Sequence, residues 1–179
     1  MKIVKYITYF VFGIFGLILI VALFVPNDVH YEKSVTIDKP IDIVWKHTNN
    51  LKVLEEWNPM KEYDAGLQKS YVGKDGVVGS KSFWESNHIK IGKGSEVITV
   101  IEAPKLIMTE REITKPYKMK SQHFVKLRAD GSKTIVTLGF DSHVPYPSNI
   151  TNLFVDIDAS IGKDYEAGLK RLKQICEQK

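Results

Sequence analysis

The sequence predicts an α+β fold in which a curved antiparallel sheet lies against a long C-terminal helix, preceded by one transmembrane helix. Three features predict it: an uncharged apolar run at the N-terminus, a middle region of short alternating segments separated by turns, and a C-terminal apolar stripe of helical period. The rest of the 179-residue chain has the usual size of one domain with one core. We therefore assign residues 1–26 to an N-terminal anchor and residues 27–179 to one globular domain.

The N-terminal run carries no charged residue from Ile7 to Val25. At about 1.5 Å of rise per residue a helix of this length spans roughly 28 Å, close to the hydrocarbon thickness of about 30 Å. A cleaved secretory signal peptide is the alternative, but its apolar region is shorter and ends in small residues of the A-x-A type. This run ends in Phe24, Val25 and Pro26. We expect an uncleaved membrane anchor.

The charges on either side of the run predict its orientation. Lys2 and Lys5 precede it, whereas Asp28 and Glu32 follow it. Because basic residues mark the cytoplasmic flank, we expect a single-pass cell-membrane protein with a cytoplasmic N-terminus and a periplasmic or extracytoplasmic C-terminal domain. The single cysteine, Cys176, excludes an intramolecular disulfide there.

Composition and motifs exclude several classes of partner. Two of the 25 basic residues precede the apolar run, so the domain, with 21 acidic residues in the whole chain, is nearly neutral and no nucleic acid is expected. Gly92-Lys93-Gly94 precedes a strand instead of a helix, which excludes a phosphate loop. No cofactor is expected. A metal site is not expected either, because no HExxH, HxH or cysteine-paired spacing occurs among His30, His47, His88, His123 and His143.

The domain begins with a strand over Tyr31–Ile37, followed by a short helix with Asp38 as its N-cap and Pro40 in its first turn, and by another helix over Leu51–Trp57. Alternation then predicts strands over residues 81–87, 95–103, 106–113, 117–127 and 133–140, with a further edge strand at 63–71. The connections are short turns, which implies antiparallel neighbours. From Ile150 to Ile175 the apolar residues recur with helical period, so this helix must cover the sheet.

These segments resemble the START-like, or SRPBCC, superfamily, and specifically its polyketide cyclase/dehydratase branch. The residues that carry the resemblance are Ile37-Asp38-Lys39-Pro40 with Val44-Trp45, then Trp57-Asn58-Pro59, Gly79 through Trp84, Ile101-Glu102-Ala103-Pro104, Gly131 through Thr137, and Gly168 through Lys173. The resemblance covers about Tyr31 to Gln178. It implies a helix-grip fold with a cavity between sheet and long helix, which in many relatives holds a lipid, polyketide, sterol or other apolar molecule. It implies no universal catalytic set.

Six side chains are candidates for lining such a cavity. Trp57 and Trp84 lie where relatives of this fold open their cavity, although tryptophans also dominate small cores that hold no ligand. Alternation along the predicted strand 117–127 places four more side chains on its more apolar face: Tyr117, Met119, Ser121 and His123. For His123, a core histidine with satisfied hydrogen bonds is the alternative interpretation.

The leading functional hypothesis is noncatalytic binding of a hydrophobic small molecule or lipid at a membrane surface. The alternative is a cyclase-like or dehydratase-like enzyme that uses His123 with Glu85 or Glu110 as acid and base, which requires one of these carboxylates to point inward. On a half-exposed strand, an outward glutamate pairing with a neighbouring cation is the commoner arrangement. A third hypothesis is a protein-interaction module of the cell envelope, which an exposed apolar patch favours.

Overall fold

The computed structural model describes residues 2–178, so Met1 and Lys179, the outer ends of the two predicted ranges, lie outside the described residues. The side chain of Lys2, used for the orientation, lies outside them as well. The chain forms two compact units. The N-terminal unit comprises Met1–Val29 and Ser142–Asp156, and the sheet unit comprises His30–Asp141 and Ile157–Lys179.

The N-terminal unit contains helix α1, Lys2–Ala22. Its segment Ile3–Ala22 has a mean hydropathy of 2.2 and no buried residue in its most apolar window, so it is long and apolar enough to cross a membrane. The predicted apolar helix is present. It ends three residues earlier than the apolar run, where turn-type bonds such as Val25 N–H to Ala22 O replace helical ones.

The second part of the N-terminal unit corrects one prediction. The C-terminal helix does not begin near Ile150, because Ser148–Leu153 forms a separate 3-10 helix. The side-chain amide of Asn149 donates to the carbonyl oxygens of Ala22 and Val25, each at 2.8 Å. These bonds attach Ser148–Leu153 to the end of α1, so Ile150 and Leu153 do not continue the apolar stripe of the terminal helix.

The sheet unit is built on a seven-stranded antiparallel, curved sheet of order β1-β7-β6-β5-β4-β3-β2. Strands that pair in the sheet are consecutive in sequence, as the short turns predict, except that β1 pairs with β7. The predicted edge strand begins later than expected, at Gln68, because Tyr63 is helical and residues 64–67 form a turn closed by Leu67 N–H to Asp64 O. The strands are β1 Asp28–Ile37, β2 Gln68–Val72, β3 Lys81–Glu85, β4 Lys93–Glu102, β5 Leu106–Lys115, β6 Met119–Asp130 and β7 Lys133–His143.

Three short helices connect β1 to β2, and one longer helix ends the chain. The Asn50 side chain caps α3 by accepting from the backbone N–H groups of Lys52 and Val53. A single π-helical turn, Asp158–Gly162, precedes the last helix. The helices are α2 Ile41–Lys46, α3 Leu51–Trp57, α4 Met60–Tyr63 and α5 Lys163–Glu177.

The apolar core lies beneath the C-terminal half of α5. Leu169, Leu172 and Cys176 of α5 belong to one buried cluster with apolar side chains of β1, α2, α3 and the central strands. Among the latter are Ile98 and Ile107, both 1% exposed. The apolar stripe predicted on the terminal helix is therefore confirmed in this half. The N-terminal half of α5, near Tyr165, lies among aromatic and polar side chains instead.

Candidate functional site

A row of polar side chains crosses five strands on the sheet face that carries the core. The strand registers place each member directly opposite the next. Because side chains alternate between the two faces, members of one cross-strand row share a face. The row, from β2 to β6, is Tyr71, Ser82, Glu96, Arg111 and Ser121.

At the centre of this row, Glu96 and Arg111 form an ion pair. Arg111 Nη2 lies 3.3 Å from Glu96 Oε1 and 3.2 Å from Oε2, and the side chains are 18% and 16% exposed respectively. Thr109 Oγ1 donates a 2.6 Å hydrogen bond to Glu96 Oε1. Burial alone would raise the pKa of Glu96, but the Arg111 charge and the Thr109 hydrogen bond hold it below its ordinary value. Glu96 is therefore ionised at neutral pH.

The Arg111 guanidinium also has a free donor. Its carbon Cζ lies 5.8 Å from the centroid of the Trp84 ring, in a cation–π arrangement. Its Nε is buried and has no hydrogen-bond partner among the described residues. A ligand acceptor at this position would satisfy the donor, since an unpaired buried donor is costly.

His123 lies one row further along the same face, opposite Thr109. Its Nε2 is 3.0 Å from Ser121 Oγ, and its Nδ1 is 3.5 Å from the Tyr165 hydroxyl. Its ring stacks on Phe140, with centroids 5.6 Å apart. Burial, reinforced by the Arg111 charge, lowers the pKa of His123 to about 3. Its imidazole is therefore neutral at neutral pH.

Aromatic rings surround Tyr165, near the N-terminus of α5. Tyr165 meets Tyr31 edge-on, with centroids 5.5 Å apart, and Phe140 with centroids 6.5 Å apart. Burial raises the pKa of Tyr165 to about 12, so its hydroxyl stays protonated and can donate a hydrogen bond. The site thus joins an aromatic wall to a row of charged and hydroxyl groups.

A second ion pair joins α3 to β2. Lys69 Nζ contacts Glu55 Oε2, and the two side chains are 15% and 10% exposed. Burial lowers the pKa of Lys69, which the Glu55 charge opposes. The other carboxylate oxygen of Glu55, Oε1, is buried without a hydrogen-bond partner among the described residues. Two charged pairs are therefore enclosed in a small domain, where isolated charges would be strongly disfavoured.

An open pocket of about 360 Å³ follows strands β2 to β4, and most of its lining side chains point to the sheet face opposite Arg111. Trp84 alternates with them and points to the face of Arg111. Gly94 is required beside this indole, because a Cβ atom there would lie 2.5 Å from the Trp84 ring. The pocket is lined by Gln68, Lys69, Ser70, Phe83, Trp84, Glu85, Lys93 and Gly94.

The structure brings three of the six predicted lining residues into the region of Arg111. Ser121 and His123 contact each other, and Ser121 lies opposite Arg111 in the sheet. Trp84 is 4% exposed, lies next to Arg111 and donates its indole N–H to Ile91 O at 3.1 Å. Their role in ligand binding stays a prediction.

The other three predicted residues have different surroundings. Met119 is half-buried at the first position of β6. Trp57, 4% exposed, belongs to the apolar core and donates its indole N–H to His47 O at 2.9 Å. Tyr117 is 62% exposed, because β6 begins only at Met119 and the alternation expected for Tyr117 does not reach it.

The hypothesised acid–base pairs with His123 do not assemble. Glu85 is 58% exposed and bonds to Lys93 across the strand pair at 2.7 Å, which lowers the pKa of Glu85. Glu110 is 44% exposed and lies 3.9 Å from Lys120. Both alternate with buried residues of their strands and so point to the face opposite His123. The outward, cation-paired arrangement is therefore the correct one.

The inward carboxylate is Glu96, which sequence reasoning missed together with Arg111. The signal was period-two alternation: Glu96 lies two residues before buried Ile98, and Arg111 lies two residues after buried Thr109. A charged residue on the apolar face of a strand is a stronger site marker than a charged residue at its end. Among residues 2–178 no group of three potential metal-ligating side chains is found.

The sheet and its terminal helix resemble solved structures, although no protein-family model and no curated protein sequence matches the chain. Ara h 8.0201 superposes with a TM-score of 0.55 at 14% identity, covering 83% of this chain and 97% of that one. The chain has the helix-grip fold. The Zhui aromatase/cyclase from Streptomyces sp. R1128 gives a TM-score of 0.55 at 14% identity, with coverages of 84% and 94%.

Norcoclaurine synthase from Thalictrum flavum, solved with dopamine and hydroxybenzaldehyde, gives a TM-score of 0.55 at 12% identity, with coverages of 83% and 86%. These neighbours are START-like helix-grip proteins, and the predicted fold is confirmed. At such low identities the likeness shows the fold alone.

Proposed function

We propose that this chain is a membrane-tethered helix-grip protein that binds a hydrophobic small molecule or lipid carrying one polar group. The observation that carries the proposal is the Glu96–Arg111 pair, which is largely enclosed beside Trp84 and bordered by His123 and the aromatic rings around Tyr165. Ligand sites are mostly apolar, with a few polar groups that orient the ligand. In this site the rings would contact the apolar body, and the unpaired Arg111 Nε would receive the polar group.

The protonation states favour binding over proton transfer. General acid–base catalysis is most effective when a group titrates near the working pH. Here the pKa of Glu96 lies below its ordinary value, that of His123 is lowered to about 3 and that of Tyr165 is raised to about 12. These three groups would therefore hold fixed protonation states at neutral pH, as a binding site requires.

The tether is proposed from the length and apolar character of α1 and from the basic residues that precede its uncharged run. In this proposal the N-terminus is cytoplasmic and the domain from residue 27 onwards is extracytoplasmic. A lipid or another membrane-dissolved molecule is then the ligand class with the shortest path to the site.

The test compares two tryptophan substitutions on opposite faces of β6. Ser121→Trp places a bulky ring beside Arg111, whereas Gln122→Trp places it on the exposed face. The full chain is purified in a mild detergent, shown to be folded by circular dichroism, and its bound molecules are extracted and measured by mass spectrometry. Wild type and Gln122→Trp should retain a copurified apolar molecule that Ser121→Trp loses. No bound molecule in any of the three, or equal amounts in all, would refute the proposal.

A cyclase-like enzyme is the second candidate, favoured by the contact between the His123 imidazole and the Tyr165 hydroxyl. A neutral imidazole and a protonated phenol can orient and polarise a carbonyl group without a net proton transfer. If the chain is such an enzyme, His123→Gln and Tyr165→Phe should abolish turnover of the copurified molecule while leaving it bound. A ligand recovered chemically unchanged after prolonged incubation with wild type would exclude this role.

A further inference from the structure

We infer that residues 144–155 form a membrane-interface segment whose apolar side chains enter the headgroup region beside the end of α1. This inference rests on the proposed tether, and it assigns a lipid-contacting role to a part of the chain far from the anchor in sequence. The segment and the end of α1 both belong to the N-terminal unit.

The segment is hydrogen-bonded to the last turn of α1 and to the residues just after it. The final carbonyl groups of a helix lack partners within the helix. Where such an end leaves the hydrocarbon, water is scarce and every unpaired carbonyl is costly. Three side chains of the segment supply the donors: Tyr146 Oη to Leu19 O at 3.4 Å, Asn149 Nδ2 to Ala22 O and Val25 O at 2.8 Å each, and Asn152 Nδ2 to Pro26 O at 3.0 Å.

Asn149 is the principal attachment point. It is 1% exposed, and its amide bridges two carbonyl groups on either side of the helix end. Because of these bonds, the segment lies at the depth at which α1 leaves the membrane. Tyr146, whose hydroxyl reaches back to Leu19, lies beside the last turn of the span. Tyrosine is enriched at this depth in membrane proteins.

The segment carries several exposed apolar side chains. Phe154 is 82% exposed, a costly arrangement in water for a large ring. Leu23 and Phe24, which directly follow α1, are similarly exposed at 68% and 83%. The segment itself has no charged residue between His143 and Asp156. Its other exposed apolar side chains are Tyr146 at 45%, Leu153 at 56% and Val155 at 54%.

These observations favour a lipid surface over a protein partner. The exposed apolar side chains continue the apolar surface of α1, and the hydrogen bonds fix them at its end, so the membrane that receives the helix also meets the segment. Burial of aromatic and aliphatic side chains in the headgroup region is the mode in which interfacial elements bind. The absence of charge from residues 144–155 fits this depth.

The test is spin-label depth measurement on the full chain in nanodiscs of phosphatidylcholine and phosphatidylglycerol. The label is placed in separate variants at Phe154→Cys, at Leu23→Cys as the reporter of the tether, and at Ser132→Cys in the exposed β6–β7 turn. Wild type treated in the same way reports any labelling of Cys176, whose pKa burial raises to about 11 and which is 3% exposed. The collision rate with oxygen, which concentrates in lipid, is compared with that of a water-soluble nickel chelate.

Labels at residues 154 and 23 should both show high oxygen and low nickel accessibility, and the label at residue 132 should show the reverse. A lipid-exposed label at residue 23 with an aqueous label at residue 154 would overturn the inference and leave the tether intact. Aqueous labels at both positions would overturn the tether as well. If Phe154→Cys fails to fold, Leu153→Cys decides between the same outcomes.

Discussion

Replacing Arg111 with methionine should destabilise the protein strongly, because it leaves Glu96 buried without its cation. At the observed 3.2 Å separation and an effective dielectric constant of about 20, Coulomb's law gives an attraction of about 5 kcal/mol. Measured losses on breaking a buried pair are about 3–5 kcal/mol. We therefore expect Arg111→Met to lower the free energy of unfolding by about 3–5 kcal/mol at neutral pH, as measured by urea unfolding of the full chain in detergent.

The pH dependence distinguishes this mechanism from lost packing. In wild type, the lowered pKa of Glu96 contributes stability above its ordinary value of 4.5, and this contribution disappears as the pH falls through the folded-state pKa. Without Arg111, burial dominates and raises the pKa of Glu96, so ionisation above pH 4.5 opposes folding. The deficit of Arg111→Met relative to wild type should therefore shrink as the pH is lowered towards 4.5.

Two further variants complete the experiment. Arg128→Met, which removes an exposed arginine of β6, should change stability little. The double variant Glu96→Gln/Arg111→Met should recover much of the loss, because no unpaired charge remains at this site. If Arg111→Met lost no more stability than Arg128→Met, or if its deficit did not depend on pH, the assignment of a buried ion pair at this site would be refuted.

Three more outcomes follow from the structure. The His123 imidazole should show no NMR titration between about pH 5 and 8, and the free energy of unfolding should fall as the pH drops from 6.5 towards 3, because only the unfolded form takes up this proton. Gly94→Ala should cost about 1–3 kcal/mol by urea unfolding, because its methyl group meets the Glu112 carbonyl oxygen and the Trp84 ring. Asn149→Leu should lower stability by about 1–3 kcal/mol, because it leaves the Ala22 carbonyl without its side-chain donor.

Each outcome has a control. An imidazole of His123 that titrates near pH 6.5 would show that this ring is solvated. Gly131→Ala meets no atom within 4 Å but has a φ of +61°, so its cost measures backbone strain without the steric contact of Gly94→Ala. Asn152→Leu removes a comparable but exposed hydrogen bond, and equal losses in the two asparagine variants would contradict the burial argument.

The antiparallel pairing of strands that are consecutive in sequence could be predicted because it depends on local signals, whereas the pairing of β1 with β7 could not. Turn residues such as those at Pro104 and Gly131 separate alternating segments, and short turns allow only antiparallel neighbours. The start of the terminal helix could not be predicted in this way. Ile150 and Leu153 have the spacing of a helical stripe, but the Asn149 side chain bonds to backbone carbonyls more than a hundred residues away in sequence. Periodicity contains no information about such a contact.

In the candidate site, contacts along one strand could also be predicted more readily than contacts between strands. The contact between Ser121 and His123 follows from alternation along one strand and was predictable. The pairing of Glu96 with Arg111 depends on the register of β4 against β5, which a bulge near Ile98 interrupts. Whether a glutamate points inward, as Glu96 does, or outward, as Glu85 does, depends on the residues that alternate with it. His123 was identified from the sequence, whereas its charged neighbours Glu96 and Arg111 were missed, although alternation along their strands indicates that they point inward.

The buried pairs have an energetic consequence for function. An apolar replacement of a buried ion pair is often neutral or stabilising, so stability alone does not explain why Glu96–Arg111 and Glu55–Lys69 occupy the interior of a small domain. In an empty site the unpaired Arg111 Nε and Glu55 Oε1 are costs of folding. A ligand polar group that satisfies either atom recovers part of that cost on binding, whereas a purely aliphatic ligand recovers none. Under the proposed function the interior would therefore select amphipathic ligands, and the proposed tether would make the surrounding membrane their nearest source.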